Sequence, residues 1–432
     1  MKFTNYIILH AILISFFSAA CKKDGSNSSG KLEVTEFLPL SGGANAEIII
    51  NGSGFSEGMT VSLNGIPLKI INFNQTAILA RIPQRAGSGK IEISNQETTA
   101  VSKELFTYNY QTTVSTLAGS QEEGFFNGPG LNATFILTAA RAGLDVDANL
   151  NVYVTDPGNH CIRKISPAGV VTTLAGNPGV KGYIDGKGGN ALFEDPYDVA
   201  CDDAGNVFVA DRRNLRIRKI TVDGTVSTYV KTDTVAGIGS TAPYGIGINK
   251  KNGFVYYTEW NANGGSICEI NANGQAKLIA QVNKPGDIAC DGNNDIYVTS
   301  NSDHIIKKID FKTRAVSTYA GTGQPGLHDG ALATAAFETP WGLACTAEGN
   351  ILVAGYGYGQ NQPSSNQCIR FIDTKTLQVG TYAGSRDGSV GDQNGDLAIA
   401  RFNGPTGVAV DKNGTVYVYD KNNNRIRKIV KE

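Results

Sequence analysis

The residues able to do chemistry in this chain are few and widely spaced. Cys21 stands near the start, and six further cysteines (Cys161, Cys201, Cys268, Cys290, Cys345, Cys368) form no C-x-x-C pair. Cys201, Cys290 and Cys345 each stand next to last in a short apolar run, DVACD, DIACD or GLACT, where the run GVAVD carries Val410. Exchange with valine marks a small buried apolar position rather than a metal ligand, while the even count keeps a disulfide open in an oxidising compartment. Of the four histidines, His10 lies in an apolar leader, His160 and His304 occupy equivalent turns and His328 lies in a loop. No Ser-His-Asp arrangement or G-x-S-x-G elbow is present, so acyl-transfer chemistry has no recognisable centre. Asp156, Asp211, Glu259 and Asp420 each end an apolar run. They are either cation ligands or, as in DPGNH and DRRNL, acceptors for their own turns.

The aromatic residues are the more promising set. Tyr197, Tyr244 and Trp341 each follow a proline that opens an apolar run; Trp260 follows Glu259, and Tyr356 and Tyr358 lie in the long turn GYGYGQNQPSSNQ. Exposed rings beside Asn, Gln and Asp suit stacking and hydrogen bonding to a sugar or a peptide. The same rings also suit filling the wedge between neighbouring sheets, and the sequence leaves both readings open.

These residues are positioned by a repeat, the feature to look for first because missing it mis-assigns the whole fold. Six units recur, with first strands AGLDVD, DVACD, GIGIN, DIACD, GLACT and GVAVD, and second strands NVYVTD, NVFVAD, FVYYTE, DIYVTS, NILVAG and TVYVYD. Third strands of the type RIRKI follow, then outer strands of the type VSTYAG. Each run is short, rich in β-branched and aromatic residues and bounded by Gly, Asn or Asp, as strands are. The sixth unit ends with the chain after three strands, while VSTLAG at residues 114–119 stands alone before the first. This predicts a ring closed by its own two ends, because a lone four-stranded unit cannot bury both faces.

The pattern D-x-x-G-N-V-Y-V-x-D, N-x-R-I-R-K-I, V-x-T-x-A-G resembles the NHL repeat of six-bladed β-propellers, over residues 111–432. Units three (ICEI for IRKI) and four are the weaker matches. The resemblance implies a ring in which His160 and His304, in blades one and four, lie opposite each other and cannot share a metal from the rim. A second motif, (D/N)-G-x5-A-x-F, precedes blades one, two, five and six, ending at Phe135, Phe193, Phe337 and Phe402, and is absent before blades three and four. It predicts a horseshoe of loops on one face, low beside blades three and four, with the aromatic set on that same face.

Composition agrees. A chain of 432 residues with 52 Gly, 41% hydrophobic and 18% charged residues is turn-rich and all-β rather than disordered. A formal net charge of −1 offers nothing to neutralise a phosphate backbone, so no nucleic acid is expected as partner.

Residues 1–20 carry a lysine, the apolar run YIILHAILISFF and then SAA before Cys21. The run is too short to span a bilayer and reads as a secretory signal. SAAC resembles a bacterial lipobox, with Ser18 where leucine is usual, which makes Cys21 the acylated N-terminus; cleavage without a lipid is the alternative. Polar, Gly/Ser-rich residues 21–30 form a flexible tether. Several acyl chains hold a protein stably at a membrane. The design resembles Bacteroidetes-type lipoproteins, implying the outer membrane, periplasmic or surface-exposed. Residues 31–110 alternate short strands with Gly/Asn turns, as a small sandwich does. NGSGF, Asn64-Gly65, Ile82-Pro83 and the closing FTY resemble an IPT/TIG immunoglobulin-like domain, which implies a spacer or docking piece.

The expected protein is all-β, an N-terminal Ig-like sandwich followed by a six-bladed propeller, anchored at a membrane by lipid. It reads as a binder of a glycan or protein rather than an enzyme, with no cofactor or metal implied. The alternative is a lyase or lactonase-like hydrolase holding a cation among channel acids.

Overall fold

A computed structural model describes residues 31–95, 97–139, 142–239, 241–261, 264–356 and 366–432. The chain divides into two compact units, the second running Thr112–Val430. In the first, two sheets face each other, one built from Glu33–Leu38, Glu47–Ser53, Ala77–Arg81 and Lys69–Phe73 in that spatial relation through Glu47–Ser53 and Ala77–Arg81. The other centres on Thr99–Tyr108, Gly89–Ser94 and Thr60–Leu63. Period-two alternation puts Ile48 and Ile50 of one sheet and Ile91 and Ile93 of the other into a single core with Phe37 and Phe106. No cysteine falls in residues 31–110, so the sandwich rests on that core and on turns such as Asn64, whose side-chain amide donates to Ala86 O at 2.8 Å.

The second unit is six sheets of four or five antiparallel strands. Blade one orders, from the inside outward, Leu144–Val146, Val152–Asp156, Cys161–Ile165 and Val170–Ala175. Blade six places Thr112–Ala118 beside Arg425–Lys431, with Val416–Asp420 and Pro405–Val410 further in. The ring therefore closes as the sequence predicts, the first strand of the unit completing the last blade.

The (D/N)-G motif has a larger role than a loop turn. Its glycine begins a two-residue strand (Gly128–Pro129, Gly186–Lys187, Gly330–Ala331, Gly395–Asp396) that covers the outer edge of blades one, two, five and six, while blades three and four keep four strands. The motif Phe and Ala are fully buried in all four cases. The motif's Asn or Asp accepts from a buried arginine in the third strand: Asn127 from Arg163 at 2.9 Å, Asp185 from Arg218 at 2.7 Å, Asp329 from Arg370 at 2.9 Å and Asn394 from Arg427 at 2.7 Å. Each guanidinium also lies 4.8 to 5.4 Å from the centre of its motif Phe ring.

The aspartates that end the second strands belong to this arrangement: they accept within their own turns, as the turn reading expects, and also pair with the buried arginines. Asp156, Asp211 and Asp420 are fully buried and ion-paired to Arg163, Arg218 and Arg427 at 2.7, 2.7 and 2.8 Å. Their second oxygens accept from backbone N–H groups of the preceding loop (Ile136, Glu194, Asn403). The Asn three residues on donates to each acid, as the turn reading expects. Burial raises all three carboxyls, and the guanidinium opposes that rise; Asp211 and Asp420 stand at about 6. Blade five has Gly355 where the acid would be, and Asn366 occupies the space a side chain there would need.

Candidate ligand-binding site

The inner strands carry the site. Tyr197, Tyr244 and Trp341 each stand near the start of a first strand, where its pairing with the second strand shifts register, and are followed by Asp198, Gly245 and Gly342. At Gly245 a Cβ would lie 2.4 Å from Gly286 O of the next blade, and at Gly342 2.5 Å from Thr406 O, so the blades meet backbone to backbone there. Threonines of the second strands fix this layer: Thr258 Oγ1 donates to Gly286 O at 2.7 Å and Thr299 Oγ1 to Trp341 O at 2.8 Å.

On one side of that layer the rings converge. Tyr244 stacks on Trp260 with centroids 4.6 Å apart and planes 22° apart. Tyr197 meets Tyr244 edge-on at 5.1 Å, and Trp341 lies 5.7 Å from Trp260 and 6.1 Å from Tyr197. Tyr356 packs against the same cluster, with the Lys421 ammonium 5.7 Å from its ring centre. Arg212 borders the group: its guanidinium lies 5.4 and 5.1 Å from the centres of Tyr197 and Tyr244, donates to the Tyr244 hydroxyl at 3.3 Å and pairs with Asp195 at 2.6 Å.

Five of the six aromatic residues singled out from sequence are thus brought together, and Tyr358 lies outside the described residues, as does Cys21. Their burial differs from the exposed rings expected. Tyr197 and Trp341 are 7% and 4% exposed and belong to the core, while Tyr244, Trp260 and Tyr356 are half-buried. The cluster is a plug whose outer members present ring surface, bounded by a guanidinium and a carboxylate able to hydrogen-bond.

On the other side of the layer a cavity of about 360 Å³ runs among the inner strands, ending near Asn249, Lys250, Asp291 and Thr346. Asp198 and Asp287, from blades two and four, line it and interact with each other. Each also accepts two backbone N–H groups, one from its own strand and one from the next blade, Ile246 at 3.0 Å and Leu343 at 2.8 Å respectively. Burial pushes both carboxyls up, and the Asp287 charge pushes Asp198 further the same way. Sequence reasoning missed this pair. The signal was an Asp in YDVAC and GDIAC at the register where the other four blades have glycine.

All six cysteines from Cys161 onward are free thiols, raised by burial; Cys290 and Cys345 line the cavity wall. His160 and His304 accept through Nδ1 from the backbone of Asp195 and Thr339, each joining its blade to the next. Among the described residues no group of three or more His, Cys, Asp or Glu is placed to hold a metal ion.

Comparison with known proteins agrees with this architecture. The IPT/TIG domain family matches residues 32–110, and the NHL repeat matches residues 402–429. The chain is 29% identical over 296 residues to the protein Suppressor of quenching 1, chloroplastic, of Arabidopsis thaliana, and 27% identical over 300 residues to NHL repeat-containing protein 2 of Gallus gallus. These matches take in 60% and 64% of this chain but only 27% and 37% of those proteins. The crystal structure of an auxiliary nutrient binding protein from Bacteroides ovatus is similar in fold, with a TM-score of 0.68 at 20% identity, covering 95% of this chain and all of that one (100%). The likeness takes in both units, an IPT/TIG domain followed by an NHL-repeat propeller.

Proposed function

We propose that this protein is a binding lipoprotein of the outer membrane, held by acyl chains on Cys21, whose aromatic mouth takes a glycan. The observation that carries this reading is the ring cluster itself: Trp260 and Tyr244 stacked and half-buried at the end of the channel, with Arg212 and Asp195 at their border. Apolar faces of pyranose rings stack on such surfaces, and the charged border supplies hydroxyl partners. The fold it shares with an auxiliary nutrient binding protein supports the same direction.

The test is a screen of glycan and peptide arrays followed by calorimetry on variants. Tyr244→Ala and Trp260→Ala are expected to weaken glycan binding at least tenfold, a loss of about 1.4 kcal/mol, with a smaller effect on melting than Trp341→Ala. Trp341 is buried, and its truncation leaves a cavity worth about 3 to 5 kcal/mol. Undiminished glycan affinity in both half-buried variants, or capture of peptides alone, would remove the glycan reading.

Anchoring is tested separately. Cys21→Ser is expected to move the protein from the membrane to the soluble fraction, because the acyl chains are the proposed attachment. Unchanged fractionation would contradict it.

A further inference from the structure

Blade three breaks the acid–arginine rule of its neighbours. Glu259 stands where blades one, two and six have Asp, but the third-strand position that supplies Arg163, Arg218 and Arg427 is Cys268, which pairs with Tyr257 across the strands. Tyr257 replaces the valine found in those blades, so a buried phenol stands beside Cys268 where the others have a guanidinium beside valine. Glu259 is fully buried all the same. Its Oε2 accepts from the Thr241 hydroxyl at 2.5 Å, and its Oε1 has no hydrogen-bond donor among the described residues.

Among the described residues the groups around it offer no cation. Thr232 lies close, but its hydroxyl donates to Thr241 O at 3.2 Å. Ser266 Oγ, on the same blade, is itself buried without a hydrogen-bond partner among the described residues, and the Tyr257 hydroxyl faces Cys268. Asp233 on the adjoining loop repels a charge at Glu259, and Arg216 is engaged with Asp233 at 3.2 Å. Arg212 is committed to Asp195 and Tyr244. Burial therefore dominates, and the Glu259 carboxyl is pushed up to about 7.

Its place in the fold gives this a consequence. Glu259 pairs with Pro243, and Trp260 with Ala242, so the start of the strand Ala242–Asn249, which carries Tyr244, lies against both. We propose that Glu259 is the positioning residue of the aromatic mouth: while neutral it stays seated in its cation-free site, the start of the neighbouring strand packs against it and Tyr244 stays stacked on Trp260; on ionising, the buried charge with its unpartnered Oε1 draws in water and that seat loosens. The consequence for ligand affinity rests on the glycan-binding reading above, but the device itself does not.

The sign follows from the raised value. A carboxyl near 7 in the folded chain and near 4.5 in the unfolded one contributes stability that is complete below about pH 4.5 and lost as pH rises through 7. The mouth should be tight in mild acid and loose above neutrality.

The chain has two tryptophans, Trp260 and Trp341, and both are in the mouth, so intrinsic emission reads it without any ligand. Emission of the wild-type protein, titrated from about pH 5 to 9, is expected to shift with a midpoint near 7. In Glu259→Gln the low-pH emission should persist throughout. The double variant Tyr257→Val with Cys268→Arg supplies the missing guanidinium and should move the midpoint to lower pH. Melting curves at each pH confirm that every species scored is folded. A wild-type emission that stays flat, or a transition that survives in Glu259→Gln, would overturn the proposal. If a glycan is found, wild-type affinity should fall above the midpoint toward the limit of about tenfold per pH unit set by release of one proton, and in the Gln variant it should not. A failed glycan screen would leave the emission result standing, so the two readings fail separately.

Discussion

A chain lacking residues 112–118 is expected to lose the cooperative melt of the propeller altogether. Those residues form the strand between Gly395–Asp396 and Arg425–Lys431, with Val114 and Ala118 buried in the seam. The seam is tied further by Leu137 N–H donating to Asn424 Oδ1 at 2.9 Å and by Thr406 Oγ1 donating to Ala142 O at 2.8 Å, both joining the last blade to the first. Removing the strand exposes the edge of Arg425–Lys431 and the apolar residues behind it. Folding stabilities are about 5 to 15 kcal/mol, so losing one seam strand is enough to open a ring whose blades cannot bury their faces alone. Circular dichroism and calorimetry check it; a sharp melt at the wild-type temperature would mean that the ring does not depend on this closure.

The second large effect is expected at the buried arginines. Arg218→Met should cost about 3 to 5 kcal/mol in urea denaturation, because it leaves Asp211 buried without its cation. It also orphans the carbonyls of Leu192 and Ile184, which accept from the same guanidinium at 3.0 and 2.9 Å. Lys307→Met in blade four is the control: among the described residues that ammonium donates only to the exposed Thr318 hydroxyl, at 3.0 Å, and about 1 kcal/mol or less is expected. Adding Asp211→Leu to Arg218→Met should recover part of the loss, since the stranded charge goes with it. Equal losses for Arg218→Met and Lys307→Met would contradict the assignment.

These two results mark what could be read from the residues in order and what could not. The strand registers were visible, because valine, isoleucine and tyrosine recur at fixed offsets around Asn and Gly turns, and the orphan VSTLAG showed how the ring closes. The (D/N)-G-x5-A-x-F motif was visible too, but its purpose was not. It pairs with an arginine some way along the chain, and a long side chain reaching between loops leaves no trace in local spacing. Asp156 looked like a turn acceptor for the same reason: the Asn beside it is local, Arg163 is not. At the mouth, the shared Pro-aromatic offset placed Tyr197, Tyr244 and Trp341 together correctly. Their unequal exposure depends on which neighbour covers each ring, Arg212 and Tyr244 for Tyr197 and Trp260 for Trp341. The Asp198–Asp287 pair was hidden because each partner, taken singly, is one acid in a run of otherwise ordinary strand residues.

The account turns on whether the half-buried rings meet a ligand. The most direct measurement is tryptophan emission of the folded wild-type protein in mild acid, titrated with the glycans that an array retains. A saturable change in emission with the same midpoint as calorimetric binding, lost in Trp260→Ala while that variant keeps its melt, is the result expected. Calorimetric binding that leaves the emission of both tryptophans unchanged, and that persists at full strength in Trp260→Ala, would place the ligand elsewhere and contradict the proposed site.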